Sequence, residues 1–464
     1  MKREKSINER IFLILLRLAS ATLLIRVVGM INQIVVTARF GAGVKMDTYF
    51  VASALPLLIA QCMINTFEKS VTPVYARAGI YSTKEQISAL FSTLLNIVLV
   101  CTIILTLIIF LFPRQIIFLS APALDTNRAE QSVALIPYVL PALLLMIVIG
   151  FLECILNTEG QFGLPAYAGT LVPISTVLLV LTLERSLGIL ILCIGMLVGL
   201  ILQLIIFILR IRAVGIKYRP VMNLHIPEIA EISDMAWPAL CSSFILLTGP
   251  LVDQMFASSL TVGSLSSLNY ALKLNSVPIG VILASVGRAA LPFLARQVGT
   301  NDMKAFKETL RLYLWVVGIS TAVISASVIV LAHPIVQILF QRGAFTYVDT
   351  NRIAATLIGF MIGLAPMSLG FVTAQAFIAL GKTKLLLGVT IFNVLANAIF
   401  DYIFIHLWQS FGIAFATSLV YVCTASFFIF SIRRTVGNLD IFTPPHEVLK
   451  MIRTIFSGTD ARLP

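Results

Sequence analysis

Apolar residues run through this chain in stretches of about twenty and more, separated by short polar clusters. Roughly twenty apolar residues in helical conformation span the hydrocarbon of a bilayer. The pattern predicts twelve transmembrane helices, near residues 11–38, 47–70, 86–112, 131–157, 163–183, 187–211, 230–258, 265–291, 308–333, 350–379, 384–407 and 412–432. The short alternating segments of a membrane barrel are absent. The expected class is an all-α polytopic membrane protein.

Composition agrees: 59% of the residues are hydrophobic, 12% are charged, and mean hydropathy is +0.99. The net charge of +12 would suggest nucleic acid in a soluble protein. Here most Lys and Arg fall on segments that share one side of the predicted topology. That asymmetry is the positive-inside signature and places both termini in the cytoplasm, with some attraction to lipid headgroups added. No small-residue cleavage site follows the basic MKREKSINER, so the first apolar run reads as a retained helix. All six Cys lie in predicted spans with no CxxC pairing, and the four His form no metal-ligand cluster. No nucleophile elbow, phosphate loop or zinc motif is present, and the chain is not expected to be an enzyme.

The twelve spans divide into an N-terminal lobe, 1–212, and a C-terminal lobe, 230–436, with a linker at 213–229 and a tail at 437–464 that reads as an amphipathic surface segment. The halves repeat one plan. INQ (31–33) answers to VDQ (252–254) at an offset of 221, as Tyr49 does to Tyr270. PVYAR (73–77) answers to PFLAR (292–296), and SLGI (186–189) to SFGI (410–413). An even number of spans per half gives a parallel repeat about an axis along the membrane normal. Two lobes so related are expected to enclose a central cavity that rocking exposes to each side in turn, which points to a transporter.

Charges at bilayer depth mostly face such a cavity, because exposing them to lipid costs several kcal/mol. Arg26 lies mid-span, too far from either end to snorkel. Lys273 lies two or three turns into its helix. Arg17, Arg288, Glu153 and Glu68 are weaker candidates: the arginines are near enough to an end to snorkel, and Glu68 reads as an ion pair with Lys69. Asp47 stands where it would cap the second helix. With Asn32, Gln33, Gln61 and Asn65 these residues give the N-terminal lobe a polar, cationic wall suited to a phosphate-bearing substrate.

The segment IFNVLANAIFDY (391–402) sets Asn393, Asn397 and Asp401 at steps of four, on one face of a helix. The topology predicts Asp253 at a similar depth, with Thr417 on the following helix. Two carboxylates at close range call for compensation. Hard oxygen donors without imidazole or thiolate favour Na⁺ over a transition metal, while a hydrogen-bonded pair sharing one proton is the other reading.

The blocks IRVVGMINQIVVTARFGAGVKMDTYFVASALP, LNYALKLNSVPIGVILASVGRAALPFLAR and ILFQRGAFTYVDT resemble MurJ (MviN-type) lipid II flippases of the multidrug/oligosaccharidyl-lipid/polysaccharide exporter superfamily. The resemblance covers most of residues 15–435. It implies a bacterial inner-membrane flippase for a polyprenyl-pyrophosphate-linked sugar; membrane lipids are the other expected partners, the charge distribution argues against nucleic acid, and the six-plus-six plan is expected to work as a monomer. By this resemblance Arg26 matches an essential cavity arginine, Asp47 the acidic residue after FGAG, and Lys273 a position usually held by arginine. Asp253, Asn397, Asp401 and Thr417 match the side-chain ligands of a sodium site, with the carbonyl of Ile413 as a fifth ligand. The candidate substrate residues are thus Arg26, Asp47, Asn65 and Lys273. The chain departs from the family in having Asn32 and Ser276 where charged residues are usual, no arginine pair after the LP of the second helix, and twelve predicted helices where many members have fourteen. A flippase for another lipid-linked polysaccharide unit is the alternative reading; a cation-coupled drug antiporter and a non-transporting scaffold fit less well.

Overall fold

The computed structural model describes residues 7–437, together with Leu439 and Pro445. The proposed amphipathic tail therefore lies almost wholly outside the described residues, as do the side chains of Arg17 and Arg288. All regular structure among the described residues is helical. In chain order the helices are α1 (Ile7–Phe40), α2 (Val44–Tyr81), α3 (Lys84–Leu111), α4 (Pro113–Ser120), α5 (Thr126–Thr158), α6 (Gly163–Ala168), α7 (Leu171–Leu187), α8 (Leu190–Val214), α9 (Pro227–Ala257), α10 (Ser264–Gly299), α11 (Met303–Phe340), α12 (Tyr347–Ile362), α13 (Leu364–Ala379) and α14 (Thr383–Val436). Ten helical segments among the described residues are long and apolar enough to cross a membrane. The predicted spans fall on these helices, but several helices are longer: α2 runs to Tyr81 and α11 has 38 residues. At 1.5 Å per residue such helices exceed the hydrocarbon thickness, so polar residues occupy their ends.

Helix ends follow local chemistry. Thr83 and Gln86 form a reciprocal capping box at the start of α3, and the Asp125 carboxylate accepts the Arg128 N–H at the start of α5. Gly215, left-handed at φ 96°, ends α8. α14 is two helices joined at Gln409, whose φ of 52° and ψ of −129° break the helical path. This matches the predicted gap between 407 and 412.

By packing, the chain forms two compact units: residues up to Ser266 with Phe340–Thr346, and Ser267–Leu339 with the residues from Tyr347 onward. The sequence divides the chain at 213–229, whereas the structure groups α9 with the first unit because α9 lies against α2. In that unit α5 is the central helix, packed on α2, α3 and α8, with Ile136, Val139, Ala142, Phe151, Ile155 and Leu156 fully buried. α7 and α8 meet closely at Gly195 and Gly199, one turn apart, where an added Cβ would lie 2.7 Å and 2.4 Å from the Cα atoms of Thr176 and Val172. Small residues at such a spacing let membrane helices approach. In the second unit Gly359 and Gly363 of α12 and the residue after it do the same against Ala414 and Ser418, and the Ser418 hydroxyl donates to the Gly359 carbonyl at 2.6 Å.

The linker after α8 is held along α3. Ser88, Ser92 and Thr93 accept the backbone N–H groups of Lys217, Arg219 and Asn223. Asn96 donates to the Val221 carbonyl and accepts from the Tyr218 hydroxyl. The FGAG turn after α1 receives the loop that precedes α12. The Ala344 N–H donates to the Ala38 carbonyl at 2.8 Å, and Gly41 and Gly343 are both left-handed, at φ 65° and 62°. A Cβ on either glycine would meet a carbonyl oxygen, Ala344 O at 2.6 Å or Ala38 O at 2.1 Å, so both motifs need glycine here.

Candidate functional site

Within the first unit, α1 carries Arg26, half-buried and without an ion pair or hydrogen bond among the described residues. Further along the same helix the side-chain oxygen of Asn32 is buried without a hydrogen-bond partner, and Gln33 is buried. A guanidinium presents a planar fork of donors that matches an anion. With no ion pair among the described residues, that fork is available to one.

On α2, Gln61, Asn65 and Lys69 follow one another at helical steps of four. Gln61 donates to Asn65 at 2.9 Å, and the Lys69 ammonium reaches across to α9, 3.3 Å from the Ser242 hydroxyl and 3.2 Å from that of Ser243. Pairing Lys69 with Glu68 is thus incorrect: neighbouring helical residues point about 100° apart, and Glu68 forms no ion pair among the described residues. Glu153, half-buried on α5, forms none either. Lys69 is a further cation of this surface that sequence reading passed over. Its step of four from Asn65 was the available signal.

Asp47 corrects the sequence reading more fully. It neither caps α2, whose cap residue Gly43 has no side-chain bond, nor presents its carboxylate to a ligand. It is completely buried, and one oxygen accepts the Ser266 N–H at 2.8 Å while the other accepts the Gly263 N–H at 2.7 Å. Arg128 adds a third donor at 3.3 Å and also bonds Asp125. Asp47 therefore caps the first turn of α10, satisfying N–H groups that a helix start leaves without partners. The buried Arg128 neutralises the carboxylate. Asp125, the cap residue just before α5, has its pKa lowered by the Arg128 N–H and then by the Arg128 side chain.

In the second unit, Asn397 and Asp401 are both buried, and the Asn397 amide donates to the Asp401 carboxylate at 3.1 Å. The predicted helix face brings these two together. Asn393, at the other end of the same stripe, accepts from the Thr424 hydroxyl at 2.6 Å. Thr417 is half-buried, its hydroxyl 3.3 Å from the carbonyl of Ile413, which is itself fully buried. Lys273 lies exposed on α10. Asp253 is buried on α9 and belongs to the first unit.

The donors on α14 are oxygens of an acid, an amide, a hydroxyl and a carbonyl. Among the described residues no three or more His, Cys, Asp or Glu gather into a cluster of the kind a transition metal favours. A hard monovalent cation suits this donor set, with the Asn397 amide turned to offer its oxygen.

Comparison with known proteins gives a consistent picture. The family model described as "Lipid II flippase MurJ" matches residues 36–457. A probable lipid II flippase MurJ of Rickettsia prowazekii is 24% identical over 87% of this chain and 80% of its own length. The corresponding protein of Synechocystis is 26% identical over 91% of this chain and 81% of its own. Among solved structures, a lipid II flippase MurJ in an inward closed conformation superposes with a TM-score of 0.77 at 22% identity, covering 96% of this chain and 93% of that one. An inward-facing MATE family multidrug resistance transporter of the MOP superfamily gives 0.74 at 15% identity, covering 92% and 99%.

Proposed function

The chain belongs to the lipid II flippase MurJ family, and from that premise we propose that it moves lipid II, a polyprenyl-pyrophosphate-linked peptidoglycan precursor, from the cytoplasmic to the outer leaflet of a bacterial inner membrane. The observation that carries the reading at residue level is Arg26: a permanent cation at bilayer depth, half-buried and paired with no acid among the described residues. A pyrophosphate matches the donor fork of a guanidinium. Asn65 and Lys69 extend the polar surface of α2, where a sugar head group finds hydrogen-bond partners. Lys273 is the candidate cation of the second unit. Asp47, its carboxylate taken up by the N–H groups of Gly263 and Ser266, has a structural part in this reading.

Transport proceeds by alternating access, with both termini cytoplasmic and a single chain sufficient. Asn397, Asp401 and Thr417, with the Ile413 carbonyl, would hold Na⁺. When bound, that ion would compensate the buried Asp401 carboxylate and couple the cycle to the membrane potential, worth about 2.3 kcal/mol per charge per 100 mV.

The test is head-group translocation in proteoliposomes, read by accessibility of lipid II to an enzyme added outside. Arg26→Ala is expected to lower the rate at least tenfold with an unchanged melting temperature, since the native side chain bonds none of the described residues. Wild-type translocation by that variant would overturn the assignment.

A further inference from the structure

A second cationic feature lies away from the residues above, on α6–α8. Arg210, near the end of α8, is half-buried, and its Nε and Nη2 both donate to one acceptor, the Gln161 side-chain oxygen, at 3.0 and 2.7 Å. That acceptor is neutral, and Arg210 enters no ion pair among the described residues. The amide fixes the plane of the guanidinium while leaving its charge and three of its five N–H donors unused.

A cleft of about 540 Å³ is lined, among the described residues, by Gly163, Leu164, Tyr167, Ala168, Leu171 and Ile206. Both bonded residues are neighbours of this lining in the chain: Gln161 is two residues before Gly163, and Arg210 is one turn after Ile206 on α8. Among the described lining residues the one polar side-chain atom is the Tyr167 hydroxyl, 2.8 Å from that of Ser20. Leu202, Ile205 and Leu209 of α8 and Ile174 of α7 are exposed, an apolar surface suited to hydrocarbon. The helix end concerned also carries Arg212 and Lys217, as expected for the cytoplasmic side.

We infer that this cleft binds an anionic glycerophospholipid of the cytoplasmic leaflet, its phosphate on Arg210 and one acyl chain along Leu164, Leu171 and Ile206. Basic side chains between membrane helices at that level recognise acidic lipid headgroups. An acyl chain suits the leucine, alanine and isoleucine of the described lining better than a sugar would.

The test uses the full chain, delipidated in detergent, and titrates phosphatidylglycerol and phosphatidylcholine by native mass spectrometry. The wild type is expected to prefer phosphatidylglycerol about fivefold or more. Arg210→Ala should erase that preference while the melting temperature holds, and Ile206→Trp, which fills the cleft, should weaken both lipids. Equal affinities in the wild type, or a preference that survives Arg210→Ala, would overturn the inference. A polyprenyl diphosphate titrated in parallel separates the sources: loss of its binding in Arg210→Ala, with phosphatidylglycerol unaffected, would assign the cleft to the substrate and refute the phospholipid. If Arg210→Ala does not fold, Ile206→Trp decides alone, and unchanged phosphatidylglycerol binding in it defeats the inference. None of these outcomes bears on Arg26.

Discussion

Gln409 has the backbone conformation of Gly188: φ 52° and ψ −129° at one, φ 55° and ψ −136° at the other. The two stand 221 positions apart, the offset that relates Tyr49 to Tyr270. Each joins the last two long helices of its half of the chain, so the repeat seen in the sequence extends to single dihedral angles. The conformation favours glycine, and a residue with a Cβ held there costs about 1–3 kcal/mol. Gln409→Gly is therefore expected to stabilise the protein by about 1 kcal/mol, and Gly188→Gln to destabilise it by at least as much. Nothing lies within 4 Å of a Cβ added at Gly188, so that loss is conformational. Melting temperatures in detergent check both, and a lower melting point for Gln409→Gly would contradict the strain argument.

Asp47→Ala removes the cap of α10 and takes one acid from the buried Arg128. Breaking a buried pair costs about 3–5 kcal/mol. Because Asp125 still meets Arg128, the expected loss is near about 3 kcal/mol. Asp47→Asn keeps one acceptor and should lose less. Chemical denaturation of the three proteins tests the order, and a wild-type midpoint for Asp47→Ala would show that the cap contributes nothing.

Gly41→Ala and Gly343→Ala should both destabilise, each through a left-handed backbone costing about 1–2 kcal/mol and a collision with a carbonyl oxygen. Gly343→Ala is expected to be the worse, since its Cβ would come to 2.1 Å against 2.6 Å for Gly41. Gly43→Ala is the internal control, with nothing within 4 Å and an extended φ of −156°. Equal melting points for all three would remove the steric explanation of the two glycine motifs.

Sodium should raise the melting temperature of the wild type and potassium should not. At ten times the dissociation constant, binding to the folded state alone adds about 1.4 kcal/mol. Asp401→Asn should abolish the response, as should Thr417→Val in large part. A sodium response that persists in Asp401→Asn would place the ion elsewhere.

Asp125 gives a pH signature. Its folded pKa is below the ordinary 3.8 because the Arg128 N–H and side chain favour the charged form. Its stabilising contribution is therefore complete above about pH 4 and fades as the pH falls through the folded value. The carboxylate is half exposed, so the contribution is that of an N-cap: Asp125→Ala should cost about 1 kcal/mol at neutral pH. The gap to wild type should narrow below pH 4. A gap that widens in acid would reverse the sign of the linkage.

Much of the fold is legible in the sequence because hydrocarbon imposes one demand on every span: an unbroken apolar run. The Asn397–Asp401 contact is legible for a similar reason, since a step of four fixes a shared face before any tertiary structure exists. Helix ends are less so, because polar residues continue α2 to Tyr81 without any loss of helical pattern. The role of Asp47 is illegible in principle. Its position near a helix start suggests a local cap, but the N–H groups that it satisfies belong to residues 263 and 266, and only the packed chain brings them together. Arg128 looks like one more loop charge until Asp47 and Asp125 are seen on either side of it.

The loop of residues 340–346, seated on the turn at Gly41, has a consequence for biogenesis. The first compact unit is discontinuous in the chain, and one of its pieces leaves the ribosome only after about three-quarters of the protein has been made. At roughly 5–20 residues per second, the carbonyl of Ala38 waits many seconds for the Ala344 N–H. Until then the insertion machinery must hold an unfinished bundle in the bilayer.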